Sequence, residues 1–412
     1  MPKQLSRKIC IKILCEWEES SKFIDSIIES ECNNSELDPR DRAFIQNITL
    51  GVIKNLTVLE NWLYELRKGK IDSDIRRIIY LGLYQILLMR VPDHAAVNET
   101  VNLARTRARG LVNAILRRAA REQDQLLRNL DSMLPADKYS IPDHIYPRWE
   151  KQFGVEEAER IAYQSNQAAS ITVRSNPLRG GLTDKDISDT DASPVKDCPE
   201  FYKVKKLPFE ALNNGRCYAQ DPSTSVAPNL LNPKSSHQVL DVCAAPGGKT
   251  SILSLCMENK GNITATDIEG PRSNRLKENL KRLGVKNVTV QSGDLLSQDN
   301  FLFDQSNQYD RILIDVPCSN TGVFRRRADA KWRLMPGFTK DLAQLQFRMV
   351  ESIIPLLKEG GKMVYSTCSI DDEENGQLVS KIIEKFSYLK KIDEVLLIPQ
   401  DDRDGAYAAL LG

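Results

Sequence analysis

The chain is poor in residues that would tie it together covalently or through metal. Its 412 residues hold nine cysteines, irregularly spaced and without a C-x-x-C pair, and only three histidines. That argues against a disulfide framework and against structural zinc, so no metal is expected. Long apolar runs are also missing. Nothing approaches the roughly 18 to 20 consecutive apolar residues of a spanning helix, and the opening MPKQLSRKIC carries no apolar stretch followed by a small-residue cleavage site. The expected setting is the cytoplasm, without a membrane partner. An excess of one charge is lacking too, with 57 Lys and Arg against 56 Asp and Glu. Affinity for a polyanion must therefore come from how charge clusters. At 41% hydrophobic and 27% charged, the composition excludes disorder and leaves room for two or three cored domains.

Charge does cluster. Arg105, Arg107, Arg109, Arg117, Arg118 and Arg121 form one group, and Arg325, Arg326, Arg327, Lys331 and Arg333 another. Either alone reads equally well as a solvated helix face or loop, and together they favour a polyanionic partner. The first group lies in a region, residues 1 to about 130, whose apolar positions recur at helical spacing, as in FIQNITLGVIKNLTVLENWLYEL and IRRIIYLGLYQILLM. Asp38-Pro39, Gly69 and Val91-Pro92-Asp93 punctuate it. The reading is an all-helical bundle.

Residues 136–235 form a mixed segment, with SITVRSNP as a strand and the acidic stretch from Asp184 to Pro199 as an exposed loop. From 236 to 412 strand-like and helical runs alternate: HQVLDVC, GKTSILSLCMEN, NITATD, PRSNRLKENLKRLG, NVTVQ, DRILIDV, TKDLAQLQFRMVESIIPLLKEG, GKMVYSTC, EENGQLVSKIIEKF. This order predicts βαβ units in a largely parallel, doubly wound α/β sheet. The expected division is thus a helical domain over 1–135, a mixed subdomain over 136–235 and a Rossmann-like domain over 236–412, acting as a monomer.

In such a sheet the ligand crevice lies outside the carboxyl ends of the strands. The first marked end is DVCAAPGGKT, residues 241–250, where Gly247 and Gly248 permit close backbone approach and the following helix offers free N–H donors. It is neither a Walker loop nor G-x-G-x-x-G, and two glycines there also suit a simple tight turn. Asp267 ends the next strand about 20 residues on, where an acid would accept both ribose hydroxyls of a nucleoside cofactor. Asp294, just past the third strand, suits adenine or ribose contacts, although a lone Asp there is more often a helix cap.

Asp315 and Cys318 follow the fourth strand in DVPCSNTG, and Cys368 follows the fifth in YSTCS. Cysteine is ordinarily a buried small hydrophobe. Here both thiols fall at strand ends, and each is read as preceding a helix start whose dipole favours the thiolate. A thiolate beside an adenosyl cofactor suits cytosine C5 chemistry. Addition of sulfur at C6 makes C5 enamine-like, C5 takes the methyl group of the sulfonium, and loss of the C5 proton expels the thiol. An acid on the ring N3 would steady the adduct, and Asp315 is the candidate. Tyr365 and Trp332 are possible stacking partners for the base, though ordinary packing is the plainer reading of both.

DVCAAPGGKT, DVPCSNTG and YSTCS, in this order, resemble the cofactor loop, Pro-Cys motif and Thr-Cys motif of the RsmB-type RNA cytosine-C5 methyltransferases, which are related to the Sun group. Upstream, DRAFIQNITLGVIKN, VPDHAAVNETVNLAR and GLVNAILRR resemble the NusB-like helical domain of the bacterial branch, and SNQAASITVRSNP and YAQDPSTSVAP its pre-catalytic region. The resemblance implies Cys368 as nucleophile and Cys318 as the residue that assists release. It implies S-adenosylmethionine held by Cys243, Ala244, Ala245, Pro246, Gly247, Gly248, Lys249, Asp267, Asp294 and Asp315. It also implies 16S ribosomal RNA as substrate, at the cytosine numbered 967 in the bacterial scheme. Two departures stand out. Asn320 replaces the first glycine of the Pro-Cys motif, where its tolerance of left-handed backbone should preserve the loop, and the terminal DGAYAALLG lacks the usual aromatic after Asp-Gly. The rival readings are an RNA-binding assembly factor with a scaffold domain, and the same chemistry on transfer or 23S RNA.

Overall fold

The computed structural model describes residues 2–35, 37–89, 91–297 and 308–412. These form two compact units, one of Met1–Gln167 with Phe324–Arg333, the other of Ala168–Val323 with Leu334–Gly412.

The first unit is helical, as its periodicity predicts, with long helices at Pro2–Glu19, Pro39–Lys54, Ser73–Leu83 and Thr106–Arg121. Asp38 caps the second of these, its Oδ1 accepting from Asp41 N at 2.7 Å, with Pro39 pre-set in the first turn. The apolar stripes close on a core holding Ile13, Ile48, Leu59, Trp62 and Leu116. Trp62 Nε1 donates to Leu126 O at 3.1 Å, so the indole is buried with its polar atom satisfied. Further helices at Tyr146–Phe153 and Val155–Asn166 complete the unit.

The second unit opens on a small antiparallel sheet of β1 (Thr172–Ser175), β2 (Ser193–Val195), β3 (Cys198–Lys203) and β4 (Cys217–Ala219), in the order β2-β3-β1-β4. The acidic stretch expected as a loop is instead a helix, Asp184–Thr190, followed by β2 and the start of β3. Its origin is local: Thr183 and Asp186 form a capping box, and Asp186 also pairs with Arg216.

Seven further strands form the main sheet: β5 (Gln238–Val242), β6 (Asn262–Asp267), β7 (Val288–Ser292), β8 (Tyr309–Asp315), β9 (Leu357–Thr367), β10 (Lys391–Leu397) and β11 (Ala406–Leu411). Their order is β10-β11-β9-β8-β5-β6-β7. The pairs β5·β6, β5·β8, β6·β7 and β8·β9 are parallel, while β11 runs antiparallel between β9 and β10. This is the mostly parallel, Rossmann-like sheet that the alternation predicts. Its central strands are buried on both faces, which is why they read as continuous apolar runs. Leu240, Ile312, Ile314 and Met363 face one core, and Val239, Leu313 and Val364 the other. No helix among the described residues is long and apolar enough to cross a membrane.

Candidate active site

Strand register gathers the expected residues on one edge of the sheet. Val242 pairs with Thr266, Asp267 with Ser292, and Asp315 with Ser366. Cys243, Asp267, Asp315 and Cys368 therefore all stand at carboxyl ends, the side on which an open α/β sheet takes its ligand.

The turn after β5 is shaped by two left-handed residues, Cys243 (φ 61°) and Gly247 (φ 101°), with a cis Ala245–Pro246 peptide between them. Ala244 N donates to Thr266 O and Ala245 N to Asp267 Oδ2, both at 2.9 Å. Gly247 leads into the helix Gly248–Cys256. Asp267 is buried, accepts from Ile268 N as well, and lies under the exposed Arg272 at 3.3 Å. Burial, then the Asp267 and Asp315 carboxylates, push the Cys243 thiol up to about 12.

Lys249 Nζ meets Asp315 Oδ2 at 2.6 Å. Burial works against the lysine's charge, and the Asp315 carboxylate, helped by Cys368 and Asp241, outweighs it, leaving the pKa above the ordinary value. The other Asp315 oxygen accepts from Ser366 Oγ at 3.2 Å. Beyond this pair the thiols of Cys318 and Cys368 stand 3.0 Å apart. The contact with Cys368, and then burial, raise Cys318 well above the usual thiol range. Asn320 does adopt left-handed backbone, φ 63°, and its amide spans both cysteines. Nδ2 donates to Cys318 O at 3.0 Å, and Oδ1 lies 3.4 Å from Cys368 Sγ.

Dipole assistance from a helix start next to either cysteine is not what the fold provides. The next helices begin at Ala330 and Gly376, because both thiols sit in extended polar loops. What surrounds them is a buried hydrogen-bond network that the sequence reading missed. Glu374 Oε2 accepts from Ser319 N (3.0 Å) and Gln346 Nε2 (2.9 Å), and its Oε1 from Ser369 Oγ (2.9 Å). Gln346 also donates to Pro317 O and accepts from Tyr365 OH. The signal for Gln346 was available: it lies on the same helical stripe as Ala343, Val350 and Ile353, where a polar residue needs a buried partner. Glu374 sits in the polar run SIDDEEN and reads there as a helix-start acid.

Asp294 stands just past the carboxyl end of β7, where the preceding Gly293 N reaches Asp267 O; it is exposed and its Oδ1 accepts from Leu296 N at 2.9 Å, in a turn rather than at a helix start. Other expected residues stand apart. Tyr365 is fully buried, and Trp332 donates to Ile53 O at 2.8 Å, so both are packing residues. Three members of the second basic cluster are engaged within the helical unit. Lys331 is buried and donates to Lys54 O, Tyr139 O and Asn166 Oδ1, Arg333 donates to the carbonyls of Trp17, Ser20 and Lys22, and Arg327 pairs with Asp25. In the first cluster Arg107, Arg117 and Arg121 are exposed on one helix.

Residues 228–407 match the 16S rRNA methyltransferase RsmB/F family model, and residues 4–121 match the NusB family. A curated relative, ribosomal RNA small subunit methyltransferase B of Yersinia pseudotuberculosis, is 34% identical, the match covering 92% of this chain and 90% of that one. The chain belongs to the RsmB/F family. Among solved structures, PH0851 superposes with TM-score 0.78 at 22% identity over 100% of this chain and 98% of that one. A methyltransferase homologue from Pyrococcus horikoshii does so with TM-score 0.55 at 27% identity over 64% and 93%.

The residues present fit the cofactor such a family implies. A buried acid at the end of β6 suits a ribose, the glycine turn suits close approach of a nucleoside, and the Lys249–Asp315 pair offers both signs of charge to an amino-acid tail.

Proposed function

We propose that this protein methylates C5 of one cytosine in 16S ribosomal RNA, cytosine 967 in bacterial numbering, using S-adenosylmethionine. Cys368 forms the covalent bond to C6, and Cys318 assists release. The observation that carries this reading is the 3.0 Å approach of the two thiols at the ends of adjacent parallel strands, beside the Lys249–Asp315 pair. A single nucleophile needs no second thiol at contact distance. Two are accounted for when one adds to the base and the other takes part in its elimination.

When bound, the cofactor supplies an electrophilic methyl group. The chain's own residues do the rest. Cys368 loses its proton and its sulfur bonds to C6, which makes C5 electron-rich. After C5 is methylated, a base removes its proton, the C6–S bond breaks and the electron pair returns to sulfur. In this reading Asp315 holds the N3 edge of the ring and Lys249 orients Asp315. Cys243 to Lys249, Asp267, Asp294 and Asp315 form the proposed cofactor site. The target base must leave its stack, which favours a loop nucleotide.

In this reading residues 1–135 grip the RNA, 136–235 form the pre-catalytic subdomain and 236–412 carry the chemistry, in a cytoplasmic monomer. The test is adduct trapping. Cys318→Ala, incubated with cofactor and a 16S RNA fragment, should accumulate a protein–RNA band on a denaturing gel that Cys368→Ala and the double variant lack. Free turnover by Cys318→Ala, with no band, would remove its release role.

A further inference from the structure

We propose that Glu374 is a positioning residue, holding the Cys318 loop and the Cys368 loop at the separation the reaction needs. One carboxylate oxygen is fixed on the residue that follows Cys318, through Ser319 N at 3.0 Å, and the other on the residue that follows Cys368, through Ser369 Oγ at 2.9 Å. Gln346 completes the frame by donating to Glu374 Oε2 and to Pro317 O, the residue before Cys318, both at 2.9 Å. A displacement of this carboxylate therefore moves the chain on both sides of the thiol pair.

The chemistry of the site is unusual for a purely structural clip. Glu374 is fully buried, and the donors it meets are neutral: an amide N–H, a side-chain amide and a hydroxyl. Burial raises its pKa, with the Ser319 and Gln346 hydrogen bonds opposing the rise. Burying a carboxylate without a cation costs stability that a neutral acceptor would not. What the carboxylate adds is two acceptor oxygens in a rigid plane, each taking strong hydrogen bonds, so that the distance between the two loops is set by one planar group. Ser319, Thr321 and Ser369 add a hydroxyl contact set across the same gap, with Ser369 Oγ 3.1 Å from both Ser319 Oγ and Thr321 Oγ1.

This inference rests on the methyltransferase reading for its purpose, and its test does not require RNA or cofactor. The full chain and its Glu374→Ala and Glu374→Gln variants are treated with diamide, which takes two electrons and two protons from the thiols as Cys318 and Cys368 join. Disulfide formation is followed by peptide mapping. The expected result is cross-linking slower by about tenfold or more in Glu374→Ala, as for loss of a hydrogen-bonded charged group, with Glu374→Gln intermediate. In methylation assays kcat falls while KM for the cofactor stays at the wild-type value. Cross-linking at the wild-type rate in Glu374→Ala, whether or not its melting temperature drops, would overturn the proposal. Should the alanine variant not fold, the glutamine variant decides on the same comparison. Absence of methylation by the wild type would strike the functional reading and leave the cross-linking result standing.

Discussion

Cys318 Sγ lies 3.0 Å from Cys368 Sγ, across the loops that leave two neighbouring parallel strands, although 50 residues separate them in sequence. The proposed reaction uses the two thiols together. Cys368→Ala is expected to remove methyl transfer entirely while moving the melting temperature little, since the side chain is only partly buried. The measurement is transfer of label from methyl-labelled S-adenosylmethionine to 16S RNA, alongside a thermal melt; retained transfer would remove Cys368 as nucleophile.

Lys249 and Asp315 depend on each other in the same way. Asp315→Ala leaves the Lys249 ammonium facing a partly buried site without its 2.6 Å partner, a loss on the order of 3 kcal/mol for a buried pair broken on one side. The expected outcome is at least about a hundredfold drop in kcat/KM and weaker cofactor binding by calorimetry. Unchanged cofactor affinity would confine Asp315 to the target base.

Asp241 gives the fold a pH dependence. It is fully buried in β5, with Thr250 Oγ1 on Oδ2 at 2.6 Å and no hydrogen-bond partner on Oδ1 among the described residues. Burial is the main cause that raises its carboxyl from 3.8 to about 7. The fold thus keeps the proton over a range in which the unfolded chain has released it, so stability is lost as pH rises from about 4 through 7. A shift of this size is on the order of 4 kcal/mol. Asp241→Asn, which still accepts from Thr250, should flatten the profile and be the more stable form at pH above 7. Chemical denaturation at acidic and alkaline pH measures this, and parallel profiles for the two proteins would contradict it.

Gly322 and Gly405 show what was hidden in the sequence. Gly322 N donates to Cys368 O at 3.0 Å, and a Cβ on Gly322 would stand 2.6 Å from that oxygen and 2.9 Å from Gly405 Cα. Both obstacles are backbone, so Gly322→Ala should cost about 2 kcal/mol and slow methyl transfer by displacing the Cys368 loop. A wild-type melt and rate would show that the loops yield freely.

The strands and helices of the sheet were legible because each carried its own period, and the site because its residues fall at strand ends. Contacts between segments distant in sequence were not. No local pattern announces that Gly405 closes on Gly322, or that Glu374 reaches across to Ser319. The arginines from 325 to 333 look the same as those from 105 to 121, although Lys331 and Arg333 are held by helix-end carbonyls and Arg107, Arg117 and Arg121 face solvent. The helix Asp184–Thr190 lies in a stretch with the acidic, Ser- and Pro-containing composition of a loop, and only the Thr183–Asp186 capping box marks its start.

That contrast is itself testable. Charge reversal at Arg107, Arg117 and Arg121 should weaken RNA binding and lower the slope of log affinity against log salt by roughly one unit per lost phosphate contact. Arg333→Ala should leave that slope unchanged and lower stability by about 2 kcal/mol through its lost carbonyl bonds. Filter binding across a salt series, with melts of each variant, separates the two.

The most direct test of the account is to incubate the protein and S-adenosylmethionine with total RNA from cells lacking it, then map 5-methylcytosine by bisulfite sequencing. The expected result is a single new 5-methylcytosine in 16S RNA, at position 967, absent with Cys368→Ala. New 5-methylcytosine only in transfer or 23S RNA would overturn the substrate, and none in any RNA while cofactor binding is intact would contradict the catalytic account itself.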